Sequence, residues 1–220
     1  MSKFYPPEEY VPLSCLSVGA GSGGWRLQLA RATVIDYWGN VIFDSFVEPT
    51  EKVTNYKTTS TGIEEHHLHG SESKPFKVVQ AEVADIIKDR IIIGYSLWTD
   101  LAPSLLSHIA KNTRDIALFV PFREALNQHN GQVRITKPIH AKDMPLIMYV
   151  TLDSGASNTC YRPVVIANIQ PLIYIDPVQA ENARASLDIF RSVEGTWETL
   201  IFNDEWPCAL PPPGFAQYFI

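Results

Sequence analysis

Three histidines, His66, His67 and His69, crowd into the segment EEHHLHG (Glu64–Gly70). Imidazoles at close spacing are common ligands of transition metals. No cysteine or carboxylate at a fixed offset accompanies them, and neighbouring side chains in an extended loop point apart. The segment therefore reads as exposed loop rather than a metal centre. Gly19–Gly24 suggests a phosphate-binding turn, but it lacks the Gly-Lys-Ser/Thr ending that sets a lysine on the phosphates. Ser14, Cys15 and Ser17 are nucleophile types with no histidine predictably beside them, and Cys15 suits a core position. What remains is acid chemistry. Asp36, Asp100, Asp143, Asp153, Asp176 and Glu181 are carboxylates. Such groups hold hard divalent cations only when several converge; singly they are solvated surface.

The elements that must position these residues follow from periodicity. Tyr10–Val18 reads as a strand ending in the glycine-rich turn. Leu27–Asp36 and Val41–Val47 alternate in polarity and are rich in β-branched and aromatic residues. They flank Trp38-Gly39-Asn40, a hairpin signal. Glu48–Thr61 is a polar connection. Phe76, Val79, Val83, Ile86 and Ile87 recur at helical spacing and predict a helix over Phe76–Lys88. Arg90–Gly94 reads as a buried strand, Trp98–Ile109 as a helix, Asp115–Val120 as a strand and Pro121–Asn127 as a short helix with proline first. Met144–Leu152 fits helix or strand, Ser154–Thr159 reads as a loop and Val164–Ile175 as extended or irregular. Pro177–Val193 predicts a last helix. A hairpin followed by alternating strands and helices implies an α/β fold whose sheet is mixed in direction.

Composition narrows the function classes. Hydrophobic residues at 45% with 19% charged describe a folded chain. No apolar run approaches a membrane span, and MSKFYPPEEY has no apolar core of a secretory signal. Cys15, Cys160 and Cys208 are odd in number and far apart, which suggests a reducing, intracellular setting, nuclear or cytoplasmic. The net charge of −6 argues against an unspecific grip on nucleic acid, which draws on a basic excess to neutralise phosphates.

The segments YVPLSCLSVG (Tyr10–Gly19), Leu29-Ala30-Arg31 and GNVIFDSFVEPTEKVTNYKTTSTGI (Gly39–Ile63) resemble the RNA-exonuclease branch of the DEDDh 3′–5′ exonuclease superfamily, which includes the Rex-type and interferon-stimulated exonucleases. GYSLWTDL (Gly94–Leu101) with Arg114-Asp115 resembles its second motif region, and NARASLDIFR (Asn182–Arg191) its last helix. The likeness runs over roughly 10–128 and resumes near 175–193. It implies an RNase H-like (DEDD exonuclease) fold, a central mixed sheet with helices on both faces. The expected organisation is a lead over 1–9, an exonuclease-like domain over 10–193 carrying an insertion at 131–174, and an aromatic, proline-rich tail over 194–220.

The family hydrolyses terminal phosphodiesters with water activated between two Mg²⁺ or Mn²⁺ ions. Its first two acids lie at i and i+2 of the first strand, which sends both to one face. Here those positions are Ser14 and Leu16, a weak neutral ligand and no ligand. The third acid aligns with Asp100 and the fourth with Asn182. The general-base histidine falls on Pro177, or on Ile175 in the alternative register, and neither takes a proton. The resemblance therefore implies a degenerate site with no functional catalytic residue and no metal, Mg or Mn returning only if a site is rebuilt around Asp100. Asp36, Asp143, Asp153, Asp176 and Glu181 are the acids available for that. Asp100 also has a structural reading, as a hydrogen-bonding group at the start of the Leu101–Ile109 helix. The lid of the family's terminal-nucleotide pocket corresponds to Thr61, Gly62, Ile63 and Leu68. A vestigial pocket would comprise Ser14, Leu16, Gly62, Ile63, Leu68 and Asp100.

Three functions are compatible with these residues. The leading one is an inactive, exonuclease-like domain in RNA metabolism that binds a protein partner through 131–174 or 194–220. The second is a non-catalytic RNA-binding protein using Arg31, Lys52 and Lys57 along the old groove. The third is an active exonuclease with a rewired metal site.

Overall fold

The computed structural model describes residues 4–127, 147–149, 163–165 and 178–220. In chain order the elements are β1 (Tyr10–Ala20), β2 (Arg26–Ile35), β3 (Val41–Glu48), β4 (Val53–Asn55), α1 (Thr58–Thr61), α2 (Glu65–His69), β5 (Ser73–Pro75), α3 (Phe76–Ile87), β6 (Ile91–Gly94), α4 (Trp98–Ser104), β7 (Thr113–Asp115), α5 (Val120–Asn127), β8 (Ile147–Tyr149), β9 (Pro163–Val165) and α6 (Val178–Phe202). The main sheet runs β5-β3-β2-β1-β6-β7, with β4 paired to β1. β1, β2 and β3 are antiparallel neighbours, whereas β6 lies parallel to β1 and β7 parallel to β6. The sheet is mixed, as the sequence predicts. β8 and β9 form a separate antiparallel pair.

Alternation along the strands loads both faces of the sheet. On one face Val11, Leu13, Leu29, Val34 and Ile92 pack with Val79, Val83 and Ile87 of α3 and Leu97 and Leu101 of α4. On the other, Tyr10, Ile35, Ile91 and Ile93 pack with Ala183, Leu187, Phe190 and Trp197 of α6. Helices thus cover both faces. The predicted hairpin forms with its turn tied by Asp36, whose carboxylate accepts the backbone N–H groups of Trp38 and Asn40. α6 holds that turn: Arg184 donates to the Gly39 carbonyl, Arg191 donates to the Tyr37 carbonyl, and the Tyr37 hydroxyl donates to Glu194.

Several boundaries differ from expectation. The polar connection after Glu48 contains β4, which pairs with Gly19 and Ala20 of β1, and the short helix α1. Gly24 (φ +70°) lets β4 approach, since a Cβ there would stand 2.7 Å from Cβ of Asn55. The helix expected over Trp98–Ile109 stops at Ser104, where Leu105 takes the left-handed conformation. Asp115–Val120 is not a strand. β7 ends at Asp115, whose side chain accepts the Ala117 N–H and turns the chain into a single 3₁₀ turn. α6 continues nine residues beyond Val193, to Phe202, because Trp197 and Ile201 keep to its buried stripe. Trp197 stacks on Phe119 with centroids 4.0 Å apart.

A buried ion pair fastens this extension. Arg114 in β7 donates Nε and Nη2 to Glu198 at 2.7 and 2.8 Å, and both side chains are 0% exposed. Met144–Leu152, open between helix and strand, contains β8. Ser154–Thr159, most of Val164–Ile175 and most of the 131–174 insertion lie outside the described residues.

Candidate functional site

β1 pairs with β2 along residues 13–20 but with β6 only through Tyr10, Val11 and Pro12. Beyond Pro12 its other edge opens toward α4. Asp100, in the first turn of α4, enters this gap, and its Oδ1 accepts the backbone N–H of Cys15 at 3.1 Å. Asp100 is buried. Burial lifts its carboxyl well above the ordinary carboxylate range. The Cys15 amide pulls the other way, and the nearby charge of Asp115 adds to the rise. The expectation that Asp100 serves a structural role holds in kind but not in place, because it satisfies β1 rather than capping its own helix.

Ser14 and Leu16 stand opposite Thr33 and Arg31 in β2 and share the face turned away from α3 and α4. Both are half-buried. Leu16 packs against the apolar cluster of Val18, Ala30, Phe46, Ile63 and Leu68. Ile63 and Leu68 of the predicted lid are buried in that cluster, and Gly62 ends α1 in the left-handed conformation. Ile63, Leu68 and Leu16 therefore meet as a packed apolar group. Asn182 lies in α6 with its side chain exposed, beside the buried Ala183. Pro177 and Ile175 lie outside the described residues.

The remaining expectations concern other charged groups. Asp36 is committed to its hairpin turn, and Glu181 pairs with Arg184. Asp143, Asp153 and Asp176 lie outside the described residues. Arg31, one of the cations proposed to grip RNA, is buried. Its Nε donates to Asp44 at 2.8 Å, Thr33 Oγ1 donates to the same carboxylate, and its guanidinium lies 4.8 Å over the Phe46 ring. The histidine segment is a short helix rather than an extended loop. Nδ1 of His67 accepts the Glu64 N–H at 3.0 Å and the ring stacks on Phe46. Among the described residues no three of His, Cys, Asp and Glu are grouped to hold a metal ion.

The donor set among the described residues does not fit two divalent cations. Such ions want several anionic oxygens at about 2.0–2.6 Å. Among the described residues the family positions offer one carboxyl, Asp100, with an oxygen spent on a backbone amide and with burial favouring its neutral form. Leu16, where the family has an acid, supplies no ligand atom.

Sequence reasoning underrated Asp115. Its Oδ1 accepts the N–H groups of Ser96 and Ala117, both at 3.0 Å, and its Oδ2 accepts that of Leu97 at 2.7 Å. Burial raises it to about 7, against the pull of these amides. The Arg114-Asp115 pair marked a motif region, but the partners are main-chain groups that leave no trace in the sequence.

Comparison with known proteins agrees with this architecture. No family model matches the chain. It is 31% identical over 196 residues to RNA exonuclease 4 of Mycosarcoma maydis, covering 89% of this chain and 45% of that protein. Against RNA exonuclease 4 of Gibberella zeae it is 37% identical over 127 residues, 58% of this chain and 39% of the relative. Against the Mus musculus protein of that name it is 28% identical over 91% of this chain and 40% of the relative. The chain thus spans less than half the length of these relatives. Among solved structures, the pseudoubiquitin-hydrolase–RNase module of Saccharomyces cerevisiae PAN2 superposes with a TM-score of 0.57 at 16% identity, over 89% of this chain and 29% of that one. The catalytic unit of Neurospora crassa Pan2 does so at 0.53 and 13%, over 90% and 29%. These structural likenesses speak for the RNase H-like exonuclease fold. Fold and sequence together make the chain a member of the DEDDh exonuclease superfamily. Within it, the chain is similar in sequence to proteins called RNA exonuclease 4.

Proposed function

We propose that this chain is a pseudo-nuclease, an exonuclease-like domain that does not hydrolyse phosphodiesters and acts as a protein-binding or regulatory module in RNA metabolism. The observation that carries this reading is the state of Asp100. The one acid that matches the family's set is buried and bonded to the Cys15 amide, while Ser14 and Leu16, on either side of Cys15 in β1, stand where the resemblance places two further acids. Two-metal hydrolysis relies on anionic oxygens to hold the ions that activate water, and a single desolvated carboxyl with an oxygen bonded to a backbone amide is a poor source of them. The setting in RNA metabolism rests on the likeness to RNA exonuclease 4.

A groove that still grips RNA would draw on Arg31, Lys52 and Lys57, and Arg31 is already committed to Asp44. That leaves fewer cations for phosphates and ranks the RNA-binding reading second. The test is incubation of purified protein with end-labelled single-stranded RNA and DNA in Mg²⁺ or Mn²⁺. The expected result is intact substrate. Shortening that EDTA and Asp100→Ala both abolish would overturn the reading. Filter binding at two salt concentrations addresses the RNA alternative, because phosphate contacts give a steep fall with salt.

A further inference from the structure

β7 is the last strand of the sheet, and the chain's C-terminal stretch clasps its neighbourhood at two points. On one side Val120 N–H donates to the Pro207 carbonyl at 2.8 Å and Ala209 N–H to the Leu118 carbonyl at 2.7 Å. On the other, His108 N–H donates to the Tyr218 carbonyl at 2.8 Å, and the Ile220 N–H returns to the His108 carbonyl at 2.9 Å. Between these clasps residues 210–217, stiffened by Pro211, Pro212 and Pro213, form an arch.

Beneath the arch lies a hollow of about 160 Å³, walled by Thr113, Leu118, Cys208, Ala216 and Phe219, with Trp206 at its rim. Asp115 also borders it, but both its oxygens are engaged by backbone amides. The wall is therefore apolar in effect. Its volume is close to the roughly 150 Å³ of an apolar cavity that accepts benzene, so it fits one six-membered ring. Of the lining residues, Trp206 and Leu210 are 47% and 85% exposed. Asp204 and Glu205, the two residues directly before the lining Trp206, are exposed. Lys111, next to the lining Ala110, offsets part of this negative charge.

We propose that this hollow receives a protein segment that inserts one aromatic side chain while its flanking Lys or Arg residues face Asp204 and Glu205. The proposal rests on reading the domain as a binding module, and it gives that module a seat and its partner a chemistry. A buried aromatic anchor ringed by complementary charge is the usual form of an energetic centre in an interface. RNA is the wrong occupant, since its phosphates would meet the two acids.

The probe is a fluorescein-labelled peptide, Lys-Arg-Phe-Lys-Arg, titrated with the full chain and followed by anisotropy. Controls replace Phe by Ser, or the basic residues by Glu. The expected result is at least tenfold tighter binding of the first peptide than of either control. Ala110→Leu, which fills the hollow, should weaken it tenfold or more with an unchanged circular dichroism spectrum and melting temperature. Asp204→Lys with Glu205→Lys should weaken it several-fold. Amide shifts on titration of the wild-type protein should centre on residues 108–120 and 206–220, so the site is located even if Ala110→Leu fails to fold. Equal binding of a control peptide, shifts centred elsewhere, no binding at millimolar peptide, or an oligoadenylate RNA binding at these same amides would overturn the proposal. Hydrolysis of RNA by the preparation would sink the pseudo-nuclease reading by itself. A failed peptide titration on an inert preparation would sink only this inference.

Discussion

Asp100 carries a proton-linked consequence that distinguishes it from a metal ligand. Its folded-state carboxyl is raised by burial, and Asp115 is raised in the same way to about 7. A raised acid binds its proton more tightly when folded. Its contribution to stability is complete below the unfolded value near 4 and is lost as pH rises through the folded value. Urea denaturation should therefore give a higher midpoint at pH 5 than at pH 8. Asp100→Asn keeps an oxygen for the Cys15 amide while removing the titration, so it should match the wild type at pH 5 and exceed it at pH 8. A variant that loses stability equally at both values would show that the charged form of Asp100 is the one the fold uses. That Ser14, Leu16 and Asn182 are not acids was plain from residue types alone. The fate of Asp100 was not, because its partner is a main-chain group 85 positions away and backbone donors have no sequence signature.

At the scale of elements, the joint between β7 and α6 depends on the Arg114–Glu198 pair. Removing one member of a fully buried pair leaves the other charge uncompensated. Glu198→Ala should cost about 3–5 kcal/mol. Replacing both, as Arg114→Met with Glu198→Leu, should recover most of that loss, and chemical denaturation of the three variants measures the difference. A double variant as unstable as the single one would contradict this account. The elements themselves were legible where local periodicity decides them. The hairpin around Trp38-Gly39-Asn40 and the α3 stripe of Val79, Val83 and Ile87 follow from spacing. Termini set by distant partners were not. α4 ends at Leu105 and not at Ile109, and α6 passes Gly195 because Trp197 and Ile201 find the core and Glu198 finds Arg114.

At the scale of the whole molecule, the C-terminal stretch guards the open side of the sheet. Uncovered strand edges pair readily with other chains. Deleting 207–220 takes away the clasps at Leu118, Val120 and His108. The shortened protein should self-associate at concentrations where the full chain does not, as read by light scattering after size exclusion. A monodisperse truncated protein of unchanged stability would assign the stretch no protective part. The sequence marked this region as aromatic and proline-rich but left open whether it packs on its own domain. Its hydrogen bonds to residues 108–120 now supply the answer, through contacts that span some ninety to over a hundred positions of chain.

The same Arg114–Glu198 joint bears on how the protein is made. The guanidinium leaves the ribosome 84 residues before its counter-ion. At common synthesis rates that interval lasts about 4 to 17 seconds. Throughout it, the nascent sheet has a cation with no anion to meet and an unroofed face awaiting Phe190 and Trp197. Closure therefore waits until Glu198 has emerged, and ribosome stalling upstream of Glu198 would leave a sticky, half-built intermediate for chaperones to hold.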